Sequence, residues 1–237
     1  IYSLVVPLFP EKELVPFIEW VKTFNFRHVK IKVKDENPAA RVCRIQSLFG
    51  NGKEFRVDVN CSWTASSAVI HMKEMASLGV VSIEQPLRPD EIGDTAEIRK
   101  SGPPLIVLDE SISTPDDVVC AARAGACDIV NIRISKCGGL LGSLRVVHAS
   151  LKKGLGIQLG AHVGESCILS AAGAQLASVV PQFRWLEGCF GTHLLTNDLC
   201  HEQYQFGMGG CFTMPSGPGL GVTVSEEKLQ AARELIP

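Results

Sequence analysis

Residues 55–84 read FRVDVNCSWTASSAVIHMKEMASLGVVSIE, and this stretch contains one complete unit of the fold. An apolar, β-branched run ends at Asp58, a segment with apolar residues at helical spacing follows, and a second β-branched run ends at Glu84. The two carboxylates stand 26 positions apart, which is about the length that one strand, one helix and two short loops need. The stretch therefore predicts a strand–helix–strand unit.

The same spacing recurs in both directions along the chain. Further apolar runs end at or near polar residues that follow at steps of 25 to 27 positions: Lys32, Asp109, Lys136, His162 and Glu187. One more step toward the N-terminus reaches YSLVVP, residues 2–7, which also reads as a strand. Eight strands alternating with helices predict an α/β fold, a TIM-type (β/α)8 barrel, and 237 residues are close to the ~250 that one such barrel needs. We therefore expect a single barrel domain over residues 1–237, with its active site at the carboxyl ends of the strands.

The composition excludes several classes of function. The net charge is −2, the pI is about 6.3, and no Lys/Arg-rich run occurs, so nothing indicates nucleic acid or a membrane surface as a partner. The apolar stretch at residues 168–180 is interrupted by small and polar residues and falls short of the ~20 needed to span a bilayer. The first residues have neither an initiator Met nor the basic n-region of a signal peptide, so we expect a segment from inside a longer cytoplasmic protein.

Nine cysteines are scattered along the chain without a CxxC pair, at positions 43, 61, 120, 127, 137, 167, 189, 200 and 211. Neither a disulfide framework nor a zinc site fits this scatter. We expect most of these cysteines to be small buried apolar residues in a reducing cytoplasm.

Three carboxylates end three consecutive predicted strands: Asp58, Glu84 and Asp109. Their side chains should converge at one side of the barrel mouth, and converging carboxylates need a cation unless they are protonated. A set of oxygen ligands suits Mg²⁺, which keeps positions for water and substrate. Each carboxylate alone could instead cap a helix or form an ion pair, but matching positions on three strands favour a metal site.

Lysines are expected to surround this site. Lys30 and Lys32 are two residues apart on the second predicted strand, so both should point into the barrel. Lys136 is predicted to end the sixth strand, across the mouth, and lysines close to a divalent metal and to each other have a depressed pKa and can act as bases. The alternative is that Lys30 and Lys32 only neutralise the carboxylates. Lys34 is predicted to be a solvated lysine at the strand end.

Five short motifs occur in a characteristic order: KIK at 30–32, DVN at 58–60 followed by Trp63, IEQP at 83–86, LDES at 108–111 and SKCGG at 135–139. Together they resemble the barrel of the enolase superfamily, a modified (β/α)7β barrel. The KxK pair with a later lysine is similar to the muconate-lactonizing (muconate cycloisomerase) subgroup. The resemblance covers the chain from about residue 28 to the PGLGV at 218–222.

This resemblance implies roles for the residues at matching positions. The three carboxylates would bind Mg²⁺, with Mn²⁺ as an alternative, and the metal would stabilise an enediolate formed from the substrate carboxylate. Lys32 and Lys136 would be the opposed acid/base pair, and Lys30 would keep the pKa of its partner low. Asn60 and Glu110 would support the metal site from behind.

The resemblance also shows two departures. Members of the superfamily carry an N-terminal α+β capping domain that contributes substrate specificity, and such a domain is absent from residues 1–237, which begin at the first barrel strand. The stretch HVGES places His162 at the mouth, as in the mandelate-racemase subgroup, but the sixth strand offers a lysine where that subgroup pairs its histidine with an aspartate. We therefore predict that His162 contacts the substrate or lines the pocket rather than acting as a base.

Several residues near the seventh and eighth strands are open to more than one interpretation. Glu165 is a candidate for the mouth. For Glu187, a substrate contact and a structural ion pair are equally open. Residues 190–193 could line the pocket, although loop packing is the favoured interpretation. Gly138 and Gly139 are expected to permit the turn into the sixth helix.

The expected activity is Mg²⁺-dependent abstraction of a proton α to a carboxylate, in a cycloisomerase or lyase reaction of a muconate-like small acid. Three alternatives stay open from sequence: racemisation or epimerisation of an N-acylated amino acid or dipeptide, the o-succinylbenzoate synthase reaction, and a catalytically silent barrel that binds metal. An uncovered barrel mouth would favour a homo-oligomer.

Overall fold

The computed structural model describes residues 1–34, 36–188, 191–195, 197–202, 204–205 and 207–234. Over these ranges the chain alternates between strands and helices. The strands are β1 (Leu4–Val6), β2 (His28–Lys32), β3 (Glu54–Asp58), β4 (Ser82–Glu84), β5 (Leu105–Leu108), β6 (Ile129–Ile132), β7 (Gly156–Leu159) and β8 (Phe183–Leu186).

The helices follow the strands in regular order. They are α1 (Glu11–Lys22), α2 (Pro38–Phe49), α3 (Ala65–Ser77), α4 (Ile92–Arg99), α5 (Pro115–Ala124), α6 (Gly139–Lys152), α7 (Cys167–Val179), the short α8 (Gly191–Leu194) and α9 (Glu226–Glu234). A 3-10 turn covers Met208–Gly210. Within the described ranges, none of these helices combines the length and the apolar character needed to cross a membrane.

The strands form one parallel sheet in the order β1 to β8, and the sheet closes on itself. Tyr2 pairs with Leu186 in a parallel bridge, and the Ser3 amide donates a hydrogen bond to the Leu186 carbonyl at 2.7 Å. The segment after the barrel braces this junction, because the Tyr2 amide donates to the Gly210 carbonyl at 2.8 Å. The predicted TIM-type barrel is therefore confirmed.

The barrel is held by the burial of strand and helix side chains against each other. Val29, Ile31 and Val57 on the strands are fully buried, and α1 presents Leu14 and Ile18, four residues apart, to the same core. Burying one such aliphatic side chain contributes about 1.5–3 kcal/mol relative to leaving it exposed. These apolar layers fix the positions at which the strands end.

Buried parallel strands are expected to be nearly all apolar except at their ends, and this expectation is wrong inside the barrel. Arg56, Asn131 and Gln158 are buried in the middle of β3, β6 and β7. Arg56 Nη1 donates to Gln158 Oε1 at 2.5 Å, and the side chains of Asn131 and Gln158 donate to Glu84 above them. A polar layer therefore lies directly beneath the barrel mouth.

The predicted positions of the strand ends are confirmed most closely in the first half of the chain. β2, β3 and β4 end at Lys32, Asp58 and Glu84. β6 instead ends at Ile132, four residues before Lys136, and β7 ends at Leu159. The prediction that Lys136 ends the sixth strand is therefore wrong, since Lys136 lies within the turn over residues 134–138.

The region after β8 contains more structure than was expected. Residues 189–222 are rich in Gly and Pro and lack periodicity, which predicts an extended loop region, but α8 and the 3-10 turn lie within it. The stretch EEKLQAARELI at residues 226–236 predicts a last helix, which is confirmed as α9. Residues 235–236 lie outside the described residues.

One cysteine pair corrects the expectation that no disulfide is present. Cys167, at the start of α7, is bonded to Cys200 in the segment after α8. Cys127 and Cys137 are buried thiols as expected, whereas the free cysteines Cys43, Cys120 and Cys211 are exposed. Cys189 lies outside the described residues. The expectation that most cysteines are buried therefore holds for only part of the set.

Candidate active site

A cavity of about 170 Å³ opens at the carboxyl ends of the strands. The apolar part of the cavity wall includes Val5, Pro7, Phe17 and Leu194. The polar lining of the cavity consists of Ser3, Lys30, Lys32, Asp58, Asn60, Glu84, Asp109, Asn131, Arg133, His162, Glu165 and Glu187. The structure thus brings most of the predicted site residues together, while Lys136 and Glu110 lie outside this lining.

Lys32 and Asp58 form the β2–β3 side of the cavity. The Lys32 ammonium donates to Asp58 Oδ2 at 2.9 Å and to Asn60 Oδ1 at 2.6 Å. The backbone N–H of Asn60 donates to Asp58 Oδ1 at 3.2 Å. Burial and the nearby Glu84 raise the pKa of Asp58 against the opposing effect of the two lysines on β2. Lys32 keeps 22% of its side chain exposed, so its ammonium is reachable from the cavity.

Lys30 is buried among three carboxylates. Its ammonium donates to Glu187 Oε2 at 2.6 Å and to the two oxygens of Glu84 at 3.1 and 3.2 Å, and lies 3.6 Å from Asp58 Oδ2. Burial alone would lower the pKa of Lys30, but Glu187, Glu84 and Asp58 outweigh it and raise the pKa. The surrounding negative charge stabilises the ammonium in this arrangement, and the depressed pKa expected beside a bound divalent metal stays a prediction.

Glu84 is the most strongly held carboxylate of the site. Asn131 Nδ2 donates to its Oε1 at 2.9 Å and Gln158 Nε2 donates to its Oε2 at 2.8 Å. Burial works against ionisation, but Lys30, the Gln158 hydrogen bond and Arg56 lower the pKa of Glu84 to about 2. Sequence reasoning missed these supporting residues, and period-2 alternation from the strand ends is the signal that could have found them.

Glu187, the last predicted site residue, contacts Lys30 at the cavity and Arg56 in the polar layer beneath it. Its Oε2 accepts from Lys30, and its Oε1 lies 3.2 Å from Arg56 Nη1. Burial raises the pKa of Glu187, and Glu84 adds to that shift while Lys30 and Arg56 oppose it. Glu187 therefore forms a structural ion pair and also lines the cavity, while the substrate contact stays a prediction.

Asp109 follows β5 and is held from two sides. Lys136 Nζ donates to Asp109 Oδ1 at 2.7 Å, and Arg133 Nη2 lies 2.7 Å from Asp109 Oδ2. The side chain of Gln85 accepts from the Asp109 amide at 2.9 Å, which fixes the backbone at this strand end. Gln85 itself adopts φ 39°, which is uncommon for a residue with a side chain.

Arg133 and His162 form the wall opposite the β2 lysines. Arg133 Nη1 donates to His162 Nδ1 at 3.2 Å, because a guanidinium has no acceptor. In the neutral imidazole the proton is then on Nε2. Burial, and to a smaller extent the positive charge of Arg133, lower the pKa of His162. The predicted pocket-lining position of His162 is confirmed, whereas sequence reasoning missed Arg133.

Glu110 and Glu165 support this wall from behind and above. Asn60 Nδ2 donates to Glu110 Oε1 at 3.1 Å, so Asn60 links Glu110 to the Asp58 region. Glu165 Oε1 accepts from the His162 amide at 2.8 Å, and burial raises the pKa of Glu165. The supporting position predicted for Asn60 and Glu110 agrees with these contacts, although their role toward a metal stays a prediction.

The remaining predictions near the site have mixed outcomes. His193 packs its ring on Trp20 and Phe24, with centroids 5.3 and 5.7 Å away, which agrees with loop packing. Phe190 lies outside the described residues. Gly138 and Gly139 have φ values of 79° and 84° and make the turn into α6, as expected.

The donor chemistry of the site suits a divalent cation, but the carboxylates face other partners. Asp58 and Glu84 are adjacent in register and repel each other, and Asp109 directly follows the next strand. In this structure lysine and arginine cations occupy their oxygens. Across the part of the chain that the structure describes, no three His, Cys, Asp or Glu side chains form a group arranged to hold a metal ion. A metal would have to displace the lysine contacts at Asp58 and Asp109.

Comparison with known proteins identifies relatives of this barrel. Residues 16–228 match the family model described as "Enolase C-terminal domain-like". The chain is 31% identical over 222 residues to Muconate cycloisomerase 1 of Rhodococcus opacus, covering 92% of this chain and 58% of that protein. It is 27% identical over 210 residues to the N-succinyl-L-Arg/Lys racemase of Bacillus cereus, covering 88% of this chain and 56% of that protein.

A solved structure agrees with the same assignment. The crystal structure of muconate cycloisomerase from Pseudomonas fluorescens superimposes with a TM-score of 0.88 at 26% identity, over 97% of this chain and 64% of that chain. The chain thus spans less than two thirds of the length of the relatives it matches. Because the family model covers most of the barrel and the strand-end residues gather as the resemblance implied, the chain belongs to the enolase C-terminal domain-like family.

Proposed function

We propose that the protein carrying this chain is a Mg²⁺-dependent enzyme that removes a proton from the carbon α to a carboxylate, in a cycloisomerase or lyase reaction of a small muconate-like acid. One observation carries the proposal: ammonium groups and carboxylates from consecutive strand ends line a single cavity at the barrel mouth. The relatives named for cycloisomerisation support the reaction class.

The carboxylates Asp58, Glu84 and Asp109 are the proposed Mg²⁺ ligands, with Asn60 and Glu110 behind them. Three anionic oxygen donors on neighbouring strands match the preference of this ion. When bound, Mg²⁺ would neutralise the substrate carboxylate as negative charge develops on it. Mn²⁺ has the same ligand preference and is expected to substitute.

Lys32 is the proposed base. It is the lysine of the β2 pair that keeps part of its surface in the cavity, whereas Lys30 is buried and fully engaged. Displacement of the Asp58 contact by a divalent cation would free the Lys32 amine to face the substrate. Lys30 holds Glu84 and Glu187 in place.

The test is exchange of the substrate α-proton with solvent deuterium in the presence of Mg²⁺. The protein as its gene encodes it is incubated with muconolactone, N-succinyl-L-arginine or L-Ala-L-Glu in D₂O, and deuterium at the α-carbon is followed by NMR. We expect exchange with at least one acid, and a fall of about 10²–10⁴-fold for Lys32→Ala, the range typical of a positioned base.

Lys34→Ala is the matched control, since Lys34 lies two residues further along the same segment but is exposed outside the cavity. It should exchange at the wild-type rate. Asp58→Asn should weaken Mg²⁺ binding measured by calorimetry, and unchanged affinity would reject the ligand set. Absence of exchange with every acid, combined with intact Mg²⁺ binding, would favour the silent metal-binding barrel.

Racemisation or epimerisation is the second candidate. The observation in its favour is the relation to a named racemase over 88% of the chain. The same isotope experiment separates the two reactions, because a racemase also produces the inverted product. Self-association and a cytoplasmic location stay predictions from the sequence.

A further inference from the structure

The loop between β7 and α7, residues 160–166, supplies a large part of the cavity wall. Four of its residues line the cavity: Ala161, His162, Val163 and Glu165. Glu165 Oε1 accepts from the His162 amide at 2.8 Å, which closes the loop on itself. Among the described residues, the backbone between the two ends of this loop makes no hydrogen bond to another helix or strand. The position of the wall therefore depends on how the two ends are held.

The first end is fixed by the sheet, and the second end is fixed by a residue from later in the chain. The Gly160 amide donates to the Ile132 carbonyl at 2.9 Å, so the loop leaves β7 while still paired with β6. At the other end Ser166 is the N-cap of α7, and its side chain makes no capping hydrogen bond. Both carboxylate oxygens of Asp198 accept from the Cys167 amide instead, at 2.9 and 3.0 Å. The second end of the loop therefore depends on one carboxylate.

Asp198 is placed to serve this helix end. Its side chain is buried and also accepts from the Leu199 amide at 2.7 Å. Within the part of the chain that the structure describes, Asp198 forms no ion pair with a lysine or an arginine. A buried carboxylate needs hydrogen bonds, and the N-terminus of a helix both offers unpaired amides and stabilises negative charge. The contact with α7 therefore accounts for a buried acid at this position.

The segment that carries Asp198 also contacts the loop directly. A Cβ added at Gly164 would lie 3.7 Å from Leu195 Cδ2, so Leu195 packs on the turn of the loop. The disulfide between Cys200 and Cys167 adds a covalent attachment next to the carboxylate. The loop and the segment after α8 therefore form one connected part of the cavity wall, with Asp198 at their junction.

We propose that Asp198 is a positioning residue of the active site, which holds the loop of residues 160–166 in the cavity wall by accepting from the first amide of α7. Its effect on activity rests on the proposed function. Asp198 itself does not line the cavity, so it acts through the loop rather than by touching the substrate. Loss of the acceptor frees the end of the loop, and His162 and Glu165 are then no longer held where a substrate would meet them. The consequence falls on substrate affinity more than on the proton-transfer step.

Hydrogen–deuterium exchange followed by mass spectrometry tests the position of the loop without any turnover. The protein as its gene encodes it is used, and the disulfide is reduced only after the quench. In Asp198→Ala, peptides covering residues 160–167 should exchange about tenfold faster than in the wild type, because the loop end opens locally. Asp198→Asn keeps one acceptor oxygen and should recover most of the protection. Exchange at the wild-type rate in Asp198→Ala would overturn the proposal.

Steady-state kinetics test the effect on the site, with whichever of muconolactone, N-succinyl-L-arginine and L-Ala-L-Glu the wild type exchanges fastest. Asp198→Ala should raise KM about tenfold while kcat falls less than about threefold, since the change removes binding rather than chemistry. Asp198→Asn should restore most of the wild-type KM. A fall in kcat with KM unchanged would overturn the proposal.

Asn37→Ala is the matched control for the loss of a helix cap. Asn37 caps α2 by accepting from the Ala40 amide at 3.2 Å, and neither Asn37 nor the described residues 33, 34 and 36 before it line the cavity. This variant should lower the melting temperature and leave KM unchanged. A melting temperature lowered equally in Asp198→Ala, with KM also unchanged, would reduce Asp198 to a helix cap and overturn the inference.

A double-mutant cycle shows whether Asp198 acts through the loop. In a His162→Ala background, Asp198→Ala should raise KM by a smaller factor than in the wild-type background, because a contact that it positions is already absent. Additive effects would overturn the inference. Absence of exchange with every acid would reject the proposed function, and amide exchange alone would then show whether Asp198 holds the wall.

Discussion

Arg56 is the residue on which the polar interior of the barrel depends. It is 1% exposed, donates to Gln158, lies 3.2 Å from Glu187, and stacks over Trp185 with 4.5 Å from its guanidinium carbon to the ring centroid. A buried charge is tolerated only when it is paired and hydrogen-bonded. Arg56 therefore supports from below the same carboxylate that Lys30 holds at the cavity.

Replacing Arg56 with Met should lower the free energy of unfolding by about 3–5 kcal/mol, because the change removes one partner of a buried ion pair. Arg184→Met is the matched control: Arg184 lies over the same Trp185 ring at 4.7 Å but is exposed. An exposed cation–π contact contributes about 0.5–1 kcal/mol. Urea unfolding measures both, and equal losses would contradict a special role for the buried arginine.

The sequence predicted the site unevenly, for reasons visible at single residues. Asp58 and Glu84 were found because each directly ends a short apolar run at the common spacing. The same spacing led to Lys136, although β6 ends at Ile132 and Arg133 is the residue that enters the cavity. The raised pKa of Lys30 could not be read from local sequence, since Glu187 reaches it from the far end of the chain.

Helix caps illustrate two ways in which elements begin. α5 begins with a local capping box, in which the Asp117 amide donates to Thr114 Oγ1 at 3.3 Å and the Thr114 amide donates to Asp117 Oδ2 at 2.8 Å. At α7 the N-cap Ser166 makes no such bond. Asp198 accepts from the Cys167 amide instead, at 2.9 and 3.0 Å. The first cap is readable from sequence, whereas the second depends on a segment 31 residues away.

Thr114→Ala should therefore lower the free energy of unfolding by about 1 kcal/mol, the usual effect of losing an N-cap side chain. Ser166→Ala, at an equivalent helix position, should change it by less than about 0.5 kcal/mol because the cap is supplied from elsewhere. Thermal unfolding followed by circular dichroism compares the two variants. A larger loss for Ser166→Ala would contradict this assignment of the caps.

At the scale of the whole molecule, the segment after β8 is fastened to the barrel at several separate points. The Cys167–Cys200 disulfide attaches it to α7. The backbone of Cys200 also pairs with that of Val224 in an isolated antiparallel β-bridge. The backbone at Met208–Gly210 lies against the start of β1. The spacing of strands predicted the barrel because each unit is local, but these attachments join residues far apart and had no periodic signal.

The disulfide predicts a linked peptide in a non-reducing digest, detected by mass spectrometry. Closing a loop of 33 residues contributes roughly 4 kcal/mol in the chain-entropy model, so reduction should lower the melting temperature of the wild type. Cys200→Ser should abolish this sensitivity to reductant, whereas Cys211→Ser, at an exposed free thiol, should retain it. A wild type that melts identically with and without reductant would contradict the pairing.

The backbone hydrogen bond from Tyr2 to Gly210 limits how short a fragment of this chain can be and still form the complete barrel. The Gly209 amide also reaches the Phe24 carbonyl at 2.6 Å, and a side chain at Gly210 would collide with the Tyr2 backbone. A gene fragment that stopped at Gly188 would encode all the strands β1 to β8. It would still lack the backbone hydrogen bonds of Gly209 and Gly210 that hold the junction between β1 and β8. A fusion of this barrel to another protein must therefore include the segment after β8 through Gly210.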